Sequence, residues 1–201
     1  DAVDYTIKIG GAAGQGIETI SGILTRLLAR AGYHVFSHQD YESRVRGGHN
    51  FFQIRFSDTP VAASRDFVDI VVALDRASVA LHEKELTKDG IVVYDSATLN
   101  EKHGGPRFLD VPFTDLAVRR GGNRIMSNVV ATGAVMGMLG LSSELLFAAI
   151  RDSLGKKGEE VVKANIEAAR AGHEHAVTAC LQCSFTATTK GSPKMLIAGN
   201  D

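Results

Sequence analysis

A chain of 201 residues, 44% hydrophobic and 22% charged, can bury a core of ordinary size as one domain, which excludes disordered and collagen-like readings. Its 22 Lys and Arg against 23 Asp and Glu leave a net charge of −1 with no basic block, so nothing marks nucleic acid or an anionic membrane as a partner. Cys180 and Cys183 stand too close together to staple such a domain, and no secretory leader opens the chain; both are expected to be reduced, in a cytoplasmic protein.

Tyr5, Ile7 and Ile9 alternate with Thr6 and Lys8, the period of a strand, and run straight into Gly10 and Gly11. From Ile17 a helical stripe of Ile20, Leu24, Leu27, Leu28 and Ala31 stops at Gly32. The opening unit is therefore strand, glycine-rich turn, helix. His34 to Gln39 and Phe52 to Phe56 predict two more strands, and the loop between them, Asp40 to Asn50, is too short for a helical crossover. The third strand must pair antiparallel. Val68 to Leu74 and Ile91 to Tyr94 are nearly unbroken β-branched runs around a helical stretch, Arg76 to Leu86, as expected of central parallel strands.

A short strand near Arg107 to Val111 precedes three helices: Ser127 to Leu139, Glu144 to Leu154 capped by Ser142 or Ser143, and Glu159 to about Val177. The apolar stretch Ile125 to Ile150 is interrupted by Asn128, Thr132, Ser142, Ser143 and Glu144, and reads as a buried helix pair. These elements predict a three-layer α/β/α sandwich on a mixed, mostly parallel sheet, Rossmann-like, over residues 1–183. Residues 184–194 read as a linker, and 195–201 as the first strand of a following domain that is cut short. Asp1 in place of Met implies a processed or trimmed start.

Gly10-Gly11-Ala12-Ala13-Gly14-Gln15-Gly16 lies between a strand and a helix N-terminus, where backbone N–H groups favour an anion. A dinucleotide fingerprint needs a third glycine, which Ile17, Glu18 and Thr19 do not supply, and no G-K-[ST] follows for a P-loop. A stand-alone NAD(P)-binding oxidoreductase is the alternative reading, and a structural interaction domain with packing glycines a second. The loop from Tyr41 to Asn50 carries Arg44, Arg46, Gly47, Gly48 and His49, a set suited to gripping a carboxylate or phosphate.

The two segments together, Gly11-Ala12-Ala13-Gly14-Gln15-Gly16 and Ser43-Arg44-Val45-Arg46-Gly47-Gly48, resemble the gamma subunit or domain of 2-oxoacid:ferredoxin oxidoreductases. The resemblance continues through Val68 to Leu74, Asn128 with Gly133, and Lys156-Lys157-Gly158 leading to Asn165, while Ala13 stands where the family has glycine. It implies the fold of pyruvate:ferredoxin oxidoreductase domain III. It also implies oxidative decarboxylation of a 2-oxoacid, probed first as 2-oxoglutarate because the domain order resembles a fused alpha subunit, with coenzyme A as co-substrate. Thiamine diphosphate, magnesium and [4Fe-4S] clusters would sit on alpha and beta partners, which pass electrons to ferredoxin. Two cysteines cannot ligate a four-cysteine cluster. The chain alone is expected to be inactive, with no catalytic residue of its own. The resemblance assigns coenzyme A contacts to Gly14, Gln15, Gly16, Arg46, Gly47 and Gly48.

Asn128, opening an apolar helix at the sheet's C-terminal edge, is expected to reach a ligand or a partner chain, whereas Asn165 is expected to hydrogen-bond across helices. Met126, Met136 and Met138 read as core filler, and His82 and His103 as surface residues without function. His173, His175, Cys180 and Cys183 carry the atoms of a zinc set, but histidines two apart point to different helix faces, and no metal is assigned. Nor does Cys180-Leu181-Gln182-Cys183 open a helix after a strand, as a redox pair would.

Overall fold

The alternation in the first segment forms β1, Asp4–Gly11, with Ile7 and Ile9 in the main core and Lys8 on the opposite face. The computed structural model describes residues 2–12, 14–41 and 48–187. After β1 come α1 (Ile17–Arg30), β2 (His34–Tyr41), β3 (Asn50–Ser57), β4 (Val68–Ala73), α2 (Arg76–His82), β5 (Leu86–Tyr94), α3 (Ser96–Leu99) and β6 (Phe108–Asp110). The chain then turns helical through α4 (Phe113–Leu116), α5 (Ser127–Met138), α6 (Ser143–Leu154) and α7 (Glu159–Ala179).

The strands form one sheet in the order β2-β3-β1-β4-β5-β6. As the short loop requires, β3 runs antiparallel to both neighbours, with Ile54 opposite Ile7 and Phe56 opposite Val35. β4, β5 and β6 continue parallel from β1. The unbroken apolar run of β4 is explained by cover on both sides: Ile70 and Val72 enter one core, Val71 and Ala73 the other.

The two outer layers are unequal. On one face α1, α5, α6 and α7 bury Leu24, Leu27, Leu28, Val130, Met136 and Phe147 in a large core. α5 and α7 touch so closely that a Cβ on Gly133 would run into the carbonyl of Ala169, and small residues line the contact. On the other face α2 and α3 contribute only Val79 and Leu99 over Val71 and Val92. The α/β/α sandwich is present with one thick and one thin helical layer. Asp75 caps α2 by accepting from Ser78 N at 2.8 Å, and Ser142 caps α6 by accepting from Glu144 N at 3.2 Å.

Several expectations are corrected. The helical stretch after β4 ends at His82, a 3-10 turn covers Glu83–Glu85, and Leu86 already belongs to β5, because its side chain is needed in the thin core. That shortening tucks His82 beneath the layer at 4% exposure, rather than on the surface. His103 is likewise engaged, its ring stacked on Phe108 with centroids 4.6 Å apart. Asn165 does not bond across helices but along its own, Nδ2 donating to Val161 O one turn earlier at 2.8 Å, on an exposed face. Ile125, placed in the buried pair, is exposed on the 3-10 turn Arg124–Met126, whereas Met126, Met136 and Met138 fill the core as expected.

Cys180 and Cys183 are not free thiols: they form a disulfide. The spacing that rules out a long-range staple permits a local bridge, because the chain turns back after α7, Cys183 N donates to Cys180 O, and the Cα atoms come within 5.4 Å. His173 donates from Nε2 to Leu141 O at 2.8 Å, so the four side chains share no common centre. Beyond the bridge, Phe185 and Ala187 remain buried against the large core. Among the described residues no helix is long and apolar enough to cross a membrane.

Candidate functional site

At the C-terminal edge of the sheet the chain from β1 leads to β2 on one side, while β4 leads to β5 on the other. The crevice between β1 and β4 is the switch point where open α/β sheets receive ligands. Gly14 and Gly16, with φ of +83° and +88°, turn the chain from β1 into α1. Gly16 is the N-cap of α1 and offers no side chain to its free N–H groups.

Gln15 clamps this turn. Its Oε1 accepts from Ala12 N at 2.6 Å, and its Nε2 donates to Leu74 O at 3.2 Å, tying the end of β1 to the end of β4 across the crevice. Asn128, near the start of α5, lies against Gly16 so tightly that a Cβ there would overlap its amide. α5 also begins without a side-chain cap. The start of α5, where Ser127 N donates to Arg124 O, thus meets the uncapped N-terminus of α1 at one point, and the α1 dipole with its free N–H groups favours negative charge there.

A cavity of about 240 Å³ opens at this point, walled by Gln15, Thr98, Thr114, Arg124, Ser127 and Asn128. Asp95, which also lines it, is fully engaged, accepting from Ala97 N, Thr98 N, Thr98 Oγ1 and Thr114 N, so the carboxylate braces the wall. Arg124 is the cation on this wall. Asn128 also borders a longer, largely apolar groove of about 870 Å³ between α1, α6 and α7, lined by Ile23, Met126, Ile150 and Val161, with Arg26 and Lys157 among its polar residues.

The structure brings together Gly14, Gln15, Gly16 and Asn128, and it delivers Gly48 to the same edge, since Asn50 of β3 pairs with Gly11 of β1. Arg46, Gly47 and Ala13 lie outside the described residues. What sequence reasoning missed is on the thin-layer side of the same edge. His49 Nε2 is 2.6 Å from His82 Nε2, His82 Nδ1 is 2.9 Å from Glu85 Oε2, and Lys8 Nζ reaches that oxygen at 2.8 Å. Burial pushes the His82 imidazole below its ordinary value of 6.5, with Lys8 and His49 adding to that effect and Glu85 opposing it. No motif spacing links positions 8, 49, 82 and 85; only the pairing of β3 with β1 could have revealed the cluster.

Residues 6–175 match the family model of pyruvate ferredoxin/flavodoxin oxidoreductase. The chain is 31% identical over 166 residues to the 2-oxoglutarate synthase subunit KorC of Archaeoglobus fulgidus, a match covering 80% of this chain and 84% of that protein. It is 30% identical over 176 residues to the ketoisovalerate oxidoreductase subunit VorA of Methanothermobacter thermautotrophicus, covering 86% of this chain and 36% of that one. The gamma subunit of a keto/oxoacid ferredoxin oxidoreductase from Geobacter sulfurreducens superposes with a TM-score of 0.70 at 25% identity, over 87% of this chain and 99% of that subunit. The 2-oxoglutarate:ferredoxin oxidoreductase of Magnetococcus marinus, solved with 2-oxoglutarate, coenzyme A and succinyl-CoA, shares the fold with a TM-score of 0.83 at 24% identity, over 95% of this chain and 34% of that chain. The chain thus spans most of a separate small subunit and about a third of the longer relatives.

Proposed function

Because this chain belongs to the pyruvate ferredoxin/flavodoxin oxidoreductase family, as a gamma-type domain of a 2-oxoacid:ferredoxin oxidoreductase, we propose that it forms the coenzyme A-binding side of that enzyme's site. The observation that carries this reading is the meeting of the α1 N-terminus with the start of α5 at the switch point, beside a large apolar groove that Asn128 also borders. Coenzyme A needs both: donors for its phosphates and a channel for its pantetheine arm. Gly14, Gly16 and Asn128 supply the close backbone and amide, Gln15 holds the turn rigid, and Gly48 borders the site from the start of β3, with Arg46 and Gly47 assigned to coenzyme A by the family resemblance.

The similarity to KorC supports 2-oxoglutarate as the oxoacid. Thiamine diphosphate, magnesium and iron–sulfur clusters belong on alpha and beta partners, which pass electrons to ferredoxin in the cytoplasm. An iron–sulfur cluster does not fit this chain, whose two cysteines are bonded to each other. The gamma-type domain is placed over residues 1–183, and Phe185 and Ala187, in the stretch read as a linker, pack against its large core.

The test is Arg46→Ala in the assembled oxidoreductase, assayed for 2-oxoglutarate-driven, coenzyme A-dependent viologen reduction. Losing a charged hydrogen bond should raise the KM for coenzyme A about 10- to 100-fold. The KM for the oxoacid should stay as it is. An unchanged KM for coenzyme A removes Arg46 from the site.

A further inference from the structure

We infer that His49, His82 and Glu85 are positioning residues for Gly48: a hydrogen-bonded chain rising from the thin layer fastens it to the sheet edge, and it lasts only while the two imidazoles share a single proton between their Nε2 atoms. The inference rests on the coenzyme A reading above for its functional consequence, though not for its geometry.

The chain begins at Lys8, whose ammonium lies 4.2 Å above the Phe51 ring and donates to Glu85 Oε2 at 2.8 Å. That carboxylate also faces His82 Nδ1 at 2.9 Å, so this nitrogen carries a proton and donates it. The remaining nitrogen of His82 meets His49 Nε2 at 2.6 Å, an approach open only to one N–H facing one lone pair. With both rings neutral, His49 donates and its Nδ1 is a lone pair, buried without a partner. A first added proton leaves the contact intact. A second puts two N–H groups face to face, and the contact breaks.

His49 is where this matters, because its ring lies against β1, with Cε1 only 3.1 Å from the position a Cβ on Gly10 would take, and the preceding residue is Gly48. The titratable groups around the pair are Lys8 of β1, Glu85 of the turn after α2, Asp75 through the Ser78 hydroxyl at the start of α2, and His38 of β2 across the Phe51 ring. The nearest fixed positive charge, Lys8, opposes extra protons on the pair, and Glu85 is the one carboxylate in direct contact that favours them. Gly48 is thus held at the sheet edge at neutral pH and released when acid protonates His82.

The experiment uses the assembled oxidoreductase between pH 8 and 5, with two readouts: deuterium uptake of the amides of residues 48–53, corrected for intrinsic exchange, and the KM for coenzyme A. In the unaltered enzyme, uptake and KM should stay flat through 6.5 and rise only at lower pH, because the contact breaks with the proton on His82, whose value burial lowers. His82→Phe should show high uptake and a KM raised about tenfold at every pH, the size of one lost hydrogen bond, with kcat unchanged. His82→Gln, which offers His49 an acceptor and cannot be protonated, should restore protection and flatten both pH profiles. If His82→Phe does not fold, His49→Phe breaks the same contact from the half-buried side. Equal uptake in the Phe variant and the unaltered enzyme, or no pH dependence in the latter, overturns the inference. Raised uptake with an unmoved KM upholds the anchor and overturns the assignment of Gly48 to coenzyme A.

Discussion

The two faces of the sheet are made by the same strands and do different work. Facing α1, α5, α6 and α7, the strands present Ile7, Ile9, Ile54, Phe56, Ile70 and Val72, all buried and apolar. Facing the thin layer, β1 and β3 present Lys8 and Gln53, equally buried, with Lys8 paired to Glu85 and Gln53 donating to Arg65 O at 2.8 Å. Burial without apolar character stabilises little, because each buried polar group must first recover its hydration. The thick layer therefore holds the fold, and the thin layer holds a charged floor beneath one side of the site.

The largest effect should come from the thick layer. Gly133→Val drives side-chain atoms into the Ala169 carbonyl, and a helix backbone cannot step aside as the end of a side chain can. We expect a loss of about 3 kcal/mol or more in urea unfolding. Lys8→Met on the thin side removes a charge-assisted bond while keeping an unbranched side chain over Phe51. Glu85 is 29% exposed and regains water, so the expected loss is about 1 kcal/mol. Equal costs for the two changes would end the division of labour between the faces.

How much of this was legible in the sequence follows the same division. The thick layer is built on periodicity, and Leu24, Leu27 and Leu28 announce α1 as clearly as the β-branched run of 68–74 announces β4. Gly14, Gly16 and Asn128 were singled out as site residues and do meet, since a strand–glycine–helix unit fixes where its turn must lie. The thin layer defied reading because its stabilising contacts join residues by space alone. Nothing local distinguishes His82 in Leu81-His82-Glu83-Lys84 from a solvated histidine, and its burial depends on Leu86 being drawn into β5. The disulfide was misread for a related reason: separation along the chain argued against a staple, but a reversal after α7 needs only a local turn.

The smallest effect, and the sharpest test of the thin layer, is the pH dependence of stability. His82 has its folded value depressed by burial, so the unfolded chain binds the more protons at pH just below 6.5, and stability must fall as pH drops through that window. Asp4 acts lower: hydrogen-bonded to Arg55, its carboxyl is held below 3.8, so its contribution is present above that value and lost as acid protonates it. Asp69 has the opposite sign. Burial raises its folded value, so it favours folding as pH falls toward 3.8 and partly masks the loss from His82. Thermal unfolding of the unaltered chain from pH 7.5 to 5 should therefore show a decline that begins near 6.5. In His82→Phe the decline near 6.5 should vanish. A decline of the same depth in both proteins would place the titrating group elsewhere and leave the thin layer a passive floor.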